Sequence, residues 1–164
     1  ERCGVSRSTI YRYWSSLPEL VSDAFDRAID PDPPLPSVAD LRTQLVILFS
    51  ELPKKLDSKN WGHILPSLVS ASTKGGDFAG RLAHISHKRR KGIRTLLQNA
   101  IDRGELKPDT NIEWVIDSLS ATFYLRHLVT GTSMFEEGLV EWIVHTVLNQ
   151  IKTPAKATRR KKTA

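Results

Sequence analysis

The residues of this 164-residue chain that are best equipped for chemistry lie in one short stretch, GVSRSTIYRYW, from Gly4 to Trp14. Within it Arg7, Ser8, Thr9, Tyr11, Arg12 and Tyr13 supply guanidinium, hydroxyl and phenol groups and no carboxylate. Such groups donate hydrogen bonds to anions and to base edges. Arginine matches the O6 and N7 of guanine with two parallel bonds, worth roughly 1 to 3 kcal/mol of discrimination against a wrong base. Hydroxyls and phenols grip phosphate oxygens and fix register. The expected chemistry is recognition of double-stranded DNA. No catalytic residue is assigned and the chain does not read as an enzyme: Ser, His and Asp residues follow no nucleophile-elbow pattern, and GGDFAG from Gly75 to Gly80 lacks the lysine of a phosphate loop. His84 and His87 are three apart, but no nearby carboxylate or cysteine completes a metal site, so neither metal nor cofactor is expected.

Positioning those donors requires a turn and a helix. Gly4 can adopt the left-handed conformation that ends one helix sharply, Val5 is an apolar plug, and Ser6 is a good N-cap for a helix starting at Arg7. Ile10 and Trp14, four apart, face inward, while Arg7 with Tyr11, Ser8 with Arg12, and Thr9 with Tyr13 form pairs on the remaining surface. This is the turn and second helix of a helix-turn-helix. Only Glu1 to Cys3 precede it, and a helix of about eight residues does not hold itself folded in water, so the expectation is a chain truncated at its N-terminus.

Ser16 to Glu19, SLPE, reads as a capping box opening a helix with Leu20, Val21, Ala24, Phe25 and Ile29 at helical spacing. DPDPPLP from Asp30 to Pro36 is a stiff linker, which closes a first unit at residues 1–30. A second, helical unit spans 37–152. Ser37 is expected to cap a helix carrying Val38, Leu41, Leu45, Leu48, Phe49 and Leu52 that ends or kinks near Pro53, followed by a polar loop from Lys54 to Asn60. A shorter helix is expected from Trp61 to Thr73. A long one starts at Asp77 and is capped by Gly104. The last two helices, Ile112 to Thr130 and Phe135 to Lys152, have apolar sectors too wide for one buried face. Few helices are available to cover both, so a second copy of the chain is expected to do so, in a two-fold four-helix interface. The interface candidates are Leu119, Phe123, Val140, Ile143, Val144 and Val147. No segment alternates with period two, and the fold class is all-α.

Composition agrees with a globular protein of one domain or slightly more, at 40% hydrophobic residues. No apolar run approaches the length needed to cross a bilayer, so no membrane partner is expected. Cys3 is the single cysteine, which fits a reducing cytoplasm. The net charge of +6 belongs entirely to the tail: six basic residues and no acidic one lie between Lys152 and Ala164. Residues 153–164 read as a solvated disordered end, with added attraction to phosphate as the alternative. The run His87 to Lys91, HKRRK, with Arg94 reads as a solvated face, with a second basic site as the alternative.

The residues from Gly4 to Phe25, GVSRSTIYRYWSSLPELVSDAF, resemble the tetracycline-repressor (TetR) family of bacterial transcriptional regulators. The later stretch LLQNAIDRGELKPDTNIEWVIDSLSATFYLRHLVTG is similar to the ligand-binding and dimerisation region of one branch of that family. The resemblance implies a homodimer, most simply a repressor, in which each recognition helix enters a major groove of a palindromic operator and a small-molecule effector among the C-terminal helices changes their separation. Arg7, Ser8 and Arg12 match positions that read bases; Thr9, Tyr11 and Tyr13 match positions that hold phosphates or the groove wall. Leu17 departs from the family pattern, where lysine contacts a phosphate, and Trp14 stands where phenylalanine is more common. The resemblance also implies an effector pocket, for which Trp61, Ile64, Leu65, Leu68, Phe78, Leu82, Phe123 and His127 are the candidates, although an apolar lining is indistinguishable from a filled core in sequence. The competing reading is a helical dimerisation or small-molecule-binding protein without specific DNA binding.

Overall fold

In the computed structural model the described residues are 4–16, 19–20, 23–24, 40–59, 62–73, 75 and 77–153, with the side chains of 77, 78 and 81 left aside. The expected linker at 30–36, the Ser37 cap, Val38, Leu17, Trp61, the side chain of Phe78 and the tail beyond Thr153 fall outside them. Every regular element among the described residues is helical: α1 (Arg7–Tyr13), α2 (Leu41–Asp57), α3 (Leu65–Ser72), α4 (Asp77–Arg89), α5 (Lys91–Asp102), α6 (Ile112–Leu125), a π-helical turn (Arg126–Thr130) and α7 (Leu139–Ile151).

Helix α2 begins three residues later than the Ser37 cap predicts. Asp40 takes the extended conformation and its carboxylate accepts the Thr43 N–H at 2.8 Å, satisfying a donor that the first turn leaves orphaned. The helix also runs through Pro53, which replaces the expected end or kink. Pro53 is itself buried, and Leu56 one turn on is fully enclosed. Burying such a side chain contributes about 1.5 to 3 kcal/mol, enough to offset much of the roughly 3 kcal/mol a mid-helix proline costs. Lys54 to Asp57 therefore belong to the helix rather than to a loop.

The single long helix expected from Asp77 to Gly104 is two helices joined at Arg90, whose backbone flattens to φ −77°, ψ −5°. The hydrogen bonds Arg90 N–H to Ser86 O (3.1 Å) and Arg94 N–H to Arg90 O (2.9 Å) carry the chain across the joint. Gly104 terminates α5 as expected, at φ +73°, with its N–H on Ile101 O and the Glu105 N–H reaching back to Ala100 O. Asn111 caps α6 by accepting the Trp114 N–H. The helix beginning expected at Phe135 starts instead at Leu139, after Gly138 in the left-handed region.

Helices α2, α6 and α7 pack mutually, α5 lies on α6, and α3 pairs with α4. The centre holds Leu45, Leu56, Leu97, Leu106, Leu119, Phe123, Val144 and Leu148, all essentially without solvent contact. The end of α7 is tied to the turn after α5: Lys107 N–H donates to Ile151 O at 2.9 Å and Thr153 N–H to Glu105 O at 3.1 Å.

Candidate functional site

The donor-rich stretch is organised by its cap. Gly4 sits at φ +64°. Ser6 is extended, and its Oγ accepts the Thr9 N–H at 3.2 Å and lies 2.8 Å from the hydroxyls of both Ser8 and Thr9. Ile10 and Trp14 are half-buried, as their spacing predicts. Trp14 adds a polar anchor, its indole N–H donating to the Asp23 carboxylate at 3.0 Å in the next helical segment. That segment is capped by Ser16, which accepts the Glu19 N–H at 3.3 Å. Glu19 does not close the expected box on Ser16. Its carboxylate accepts the backbone N–H of Ser15 at 2.7 Å and the Ser15 hydroxyl at 2.5 Å, one residue earlier.

Arg7, Ser8, Thr9, Tyr11, Arg12 and Tyr13 are all exposed on α1. Tyr11 and Tyr13 keep 62% and 64% of their surface, far more than large aromatic side chains usually retain. Arg12 Nη2 donates to the Tyr13 hydroxyl at 3.0 Å, and its guanidinium carbon lies 5.0 Å from the Tyr13 ring centre. This stack restricts a long side chain before it meets a ligand, and restriction of that kind lowers the ordering cost of binding.

A second feature is a cavity of about 280 Å³ walled by α2 to α6. Leu48, Phe49 and Leu52 of α2, Leu65 and Val69 of α3, Leu82 and Ile85 of α4, Ile93 of α5, Ile116 of α6 and Leu128 of the π turn make it apolar. Lys55, Ser86, Arg89, Arg90, Ser120 and Tyr124 supply its polar groups. Arg90 is held from outside by Asp117 at 2.8 Å and Glu113 at 3.3 Å, and Glu113 also pairs with Arg94. Ser120 donates back to Ile116 O at 2.9 Å. Burial pushes the Tyr124 phenol above its usual range, while the nearby charges of Arg89 and Arg90 pull the other way.

Of the eight pocket candidates, Leu65 and Leu82 line this cavity. Leu68 and Phe123 are buried core residues outside its lining, Phe123 fully enclosed. Ile64 faces outward at the start of α3. His127 spends Nε2 on the Gly62 carbonyl at 3.0 Å. Arg89 and Arg90 are the lining residues that a solvated-face reading of HKRRK overlooks; His87, Lys88 and Lys91 of that run are indeed exposed. The signal was present: Leu82, Ile85, Arg89 and Ile93 recur at spacings of three and four, so Arg89 occupies the inward register of the helix.

Four of the six interface candidates have no face left open by their own chain. Leu119, Phe123, Ile143 and Val144 are buried inside a single chain, between 0% and 4% exposed, and Val140 and Val147 pack half-buried against the same core. One chain covers those faces itself. What it leaves outside on the last helices and the loop between them is Trp114, Leu125, Val129, Phe135 and Trp142, each more than half exposed. Among the described residues no group of three or more His, Cys, Asp or Glu converges as a metal site, and no helix is long and apolar enough to cross a membrane.

Comparison with known proteins bears on both features. A family model described as tetracyclin repressor-like, C-terminal domain, matches residues 35–147. A Bacillus subtilis (strain 168) protein named uncharacterized HTH-type transcriptional regulator YdeS is 29% identical over 136 residues, which are 80% of this chain and 66% of that protein. The chain thus spans just under two thirds of that relative's length. The crystal structure of the TetR family transcription regulator SCO0332 superposes with a TM-score of 0.71 at 24% identity, covering 92% of this chain and 82% of that one, which is a likeness of fold. With the family match extending over more than half of its length, the chain belongs to the tetracycline-repressor-like family of transcriptional regulators.

Proposed function

We propose that this chain carries the DNA-reading and effector-binding parts of a homodimeric transcriptional repressor. The observation that carries the reading is the surface of α1, where six donor-bearing side chains are exposed together on a capped helix. Arg7, Ser8 and Arg12 read base edges, and Thr9, Tyr11 and Tyr13 hold phosphates and the groove wall. Two-fold symmetry then calls for a palindromic operator with half-site centres about 34 to 36 Å apart, or a multiple of one turn. The cavity is the effector site. A ligand that binds better to the dimer geometry mismatched to DNA weakens operator affinity by the same factor by which DNA weakens its own, typically about 1 to 3 kcal/mol of coupling.

The test is selection of bound sequences from a random duplex pool by the intact protein, followed by titration of the selected operator. The expected result is a palindrome. Arg7→Ala should cost about 1 to 3 kcal/mol and relax specificity at one base pair of each half-site. Equal affinity for operator and scrambled DNA, or an Arg7→Ala variant that binds unchanged, would favour a helical ligand-binding protein without specific DNA recognition.

A further inference from the structure

We propose that Asp23 positions Arg12 for base reading, acting through Trp14 and Tyr13. This rests on the reading of α1 as the DNA-recognition helix and adds what sets its specificity at one base pair. Four side chains run in contact from the carboxylate to the guanidinium. Asp23 Oδ2 accepts the Trp14 indole N–H at 3.0 Å. The ring centres of Trp14 and Tyr13 are 5.9 Å apart, with the planes tilted by 57°, within the range of favourable aromatic pairs. Tyr13 in turn carries the Arg12 guanidinium 5.0 Å from its ring centre and accepts a hydrogen bond from Nη2 at 3.0 Å.

Successive side chains of a helix do not face each other, so the contact between Tyr13 and Trp14 depends on α1 ending between them. Trp14 has left the helix, at φ −130° and ψ 122°, and the bond to Asp23 fixes where its half-buried indole goes. Tyr13 is otherwise open to solvent, and among the described residues its ring contacts are with Trp14 and Arg12. An arginine has five N–H donors. The bond to Tyr13 uses one and leaves the fork able to meet the O6 and N7 of guanine. Because Tyr13 accepts that bond, its own O–H remains to donate to a phosphate. Holding Arg12 in place acts on specificity rather than on general attraction. The right base gains from a side chain that is already ordered, whereas a wrong base offers Arg12 no matching pair of acceptors and gains nothing.

The experiment is selection of bound duplexes from a random pool by the intact protein and by variants of it. The base pair whose preference is lost in Arg12→Ala is the one Arg12 reads. At that pair Trp14→Phe, which keeps an aromatic ring and loses the N–H, and Asp23→Ala should each lower discrimination about two- to tenfold, the equivalent of ordering one long side chain on binding. Preferences elsewhere in the half-site should stay as they are. Asp23→Asn keeps an acceptor oxygen and should retain the discrimination, while binding all duplexes more tightly because a negative charge is gone. Added to Arg12→Ala, Asp23→Ala should have no further effect at that pair. Melting curves identify a variant that does not fold, and Trp14→Phe carries the test where Asp23→Ala fails to. An Arg12→Ala variant that loses no preference, a Trp14→Phe variant that reads the palindrome as the unaltered protein does, or a loss spread evenly over the half-site each overturns the positioning of Arg12 and leaves the regulator standing. Failure of the unaltered protein to select any sequence overturns the regulator reading instead. Nitrogen-15 relaxation of Arg12 Nε in the DNA-free protein then decides the positioning by itself: an ordered side chain that becomes mobile in Trp14→Phe and Asp23→Ala supports it, and equal mobility in all three overturns it.

Discussion

Glu113 lies on the flank of α6, where guanidinium groups from two helices reach it, Arg94 from α5 and Arg90 from the joint between α4 and α5. The Arg94 hydrogen bond, outweighing partial desolvation and helped by Arg90, holds its carboxyl below the usual range. A folded pKa lower than the unfolded one means that the stabilisation is fully present above the unfolded value, near 4.3 for glutamate, and is lost as pH falls through the lower folded value. The side chain is 47% exposed, so solvent screening limits the gain to under about 1 kcal/mol. Glu113→Gln should therefore melt slightly below the unaltered chain at pH 7, and the difference should shrink as the pH is taken below about 4. Thermal melts across that range check it; a gap that persists at low pH would assign Glu113 a packing role instead. Residue-level roles of this kind were partly legible in the sequence. The spacing of Ile10 and Trp14 and the Ser6 cap determine which face α1 presents. That Glu113 serves two arginines, or that Trp14 is anchored by Asp23, depends on tertiary distances that spacing does not encode.

At the scale of elements, amphipathic period was a good guide to which segments become helices and a poor one to where they bend or stop. Pro53 has a local cost that burial of Leu56 and its neighbours overrides. Arg90 breaks a continuous helical pattern while keeping the apolar register on both sides, so periodicity is blind to the joint that brings two arginines to the cavity. The π turn at Arg126–Thr130 is equally invisible, since its residues read as a continuation of α6 until Gly131 at φ +66° ends it. The clearest element-level constraint is at Gly62. Its N–H donates to Ser58 O at 3.0 Å, its carbonyl bonds to His127 of the π turn, and a Cβ placed on it would lie 1.6 Å from the Leu56 carbonyl oxygen. Backbone atoms cannot yield as the tip of a side chain can. Gly62→Ala should therefore destabilise the chain by about 2 kcal/mol or more, whereas His127→Leu, which removes one hydrogen bond, should cost nearer 1 kcal/mol. Denaturant titration of both variants measures the contrast, and an alanine variant as stable as the parent would mean that the turn after α2 opens at little cost.

For the molecule as a whole, the breadth of the apolar sectors on α6 and α7 led to the expectation of a second copy, and four of the six side chains it singled out are enclosed within one chain. Leu119, Phe123, Ile143 and Val144 are the obvious apolar residues, and a single chain encloses them because α2 packs against both helices. The surplus left outside is a different set. Trp114, Ala121 and Leu125 recur on the exposed side of α6, and Trp142 is exposed on α7. Tryptophan is enriched at binding hot spots, and two of them 73% and 64% exposed are costly on a surface that meets only water. The two assignments separate cleanly. If the exposed set forms the dimer face, Trp114→Glu with Trp142→Glu should give a monomer by sedimentation velocity while helicity is retained, because neither side chain belongs to the core. Operator affinity should fall with it, since two recognition helices no longer engage two half-sites as one unit. Leu119→Ala should act in the opposite way, lowering stability by about 2 to 5 kcal/mol through the cavity it leaves and changing the association state only as far as the fold itself is lost. A doubly substituted chain that still sediments as a dimer would place the contact elsewhere on the surface and leave the tryptophans for another partner.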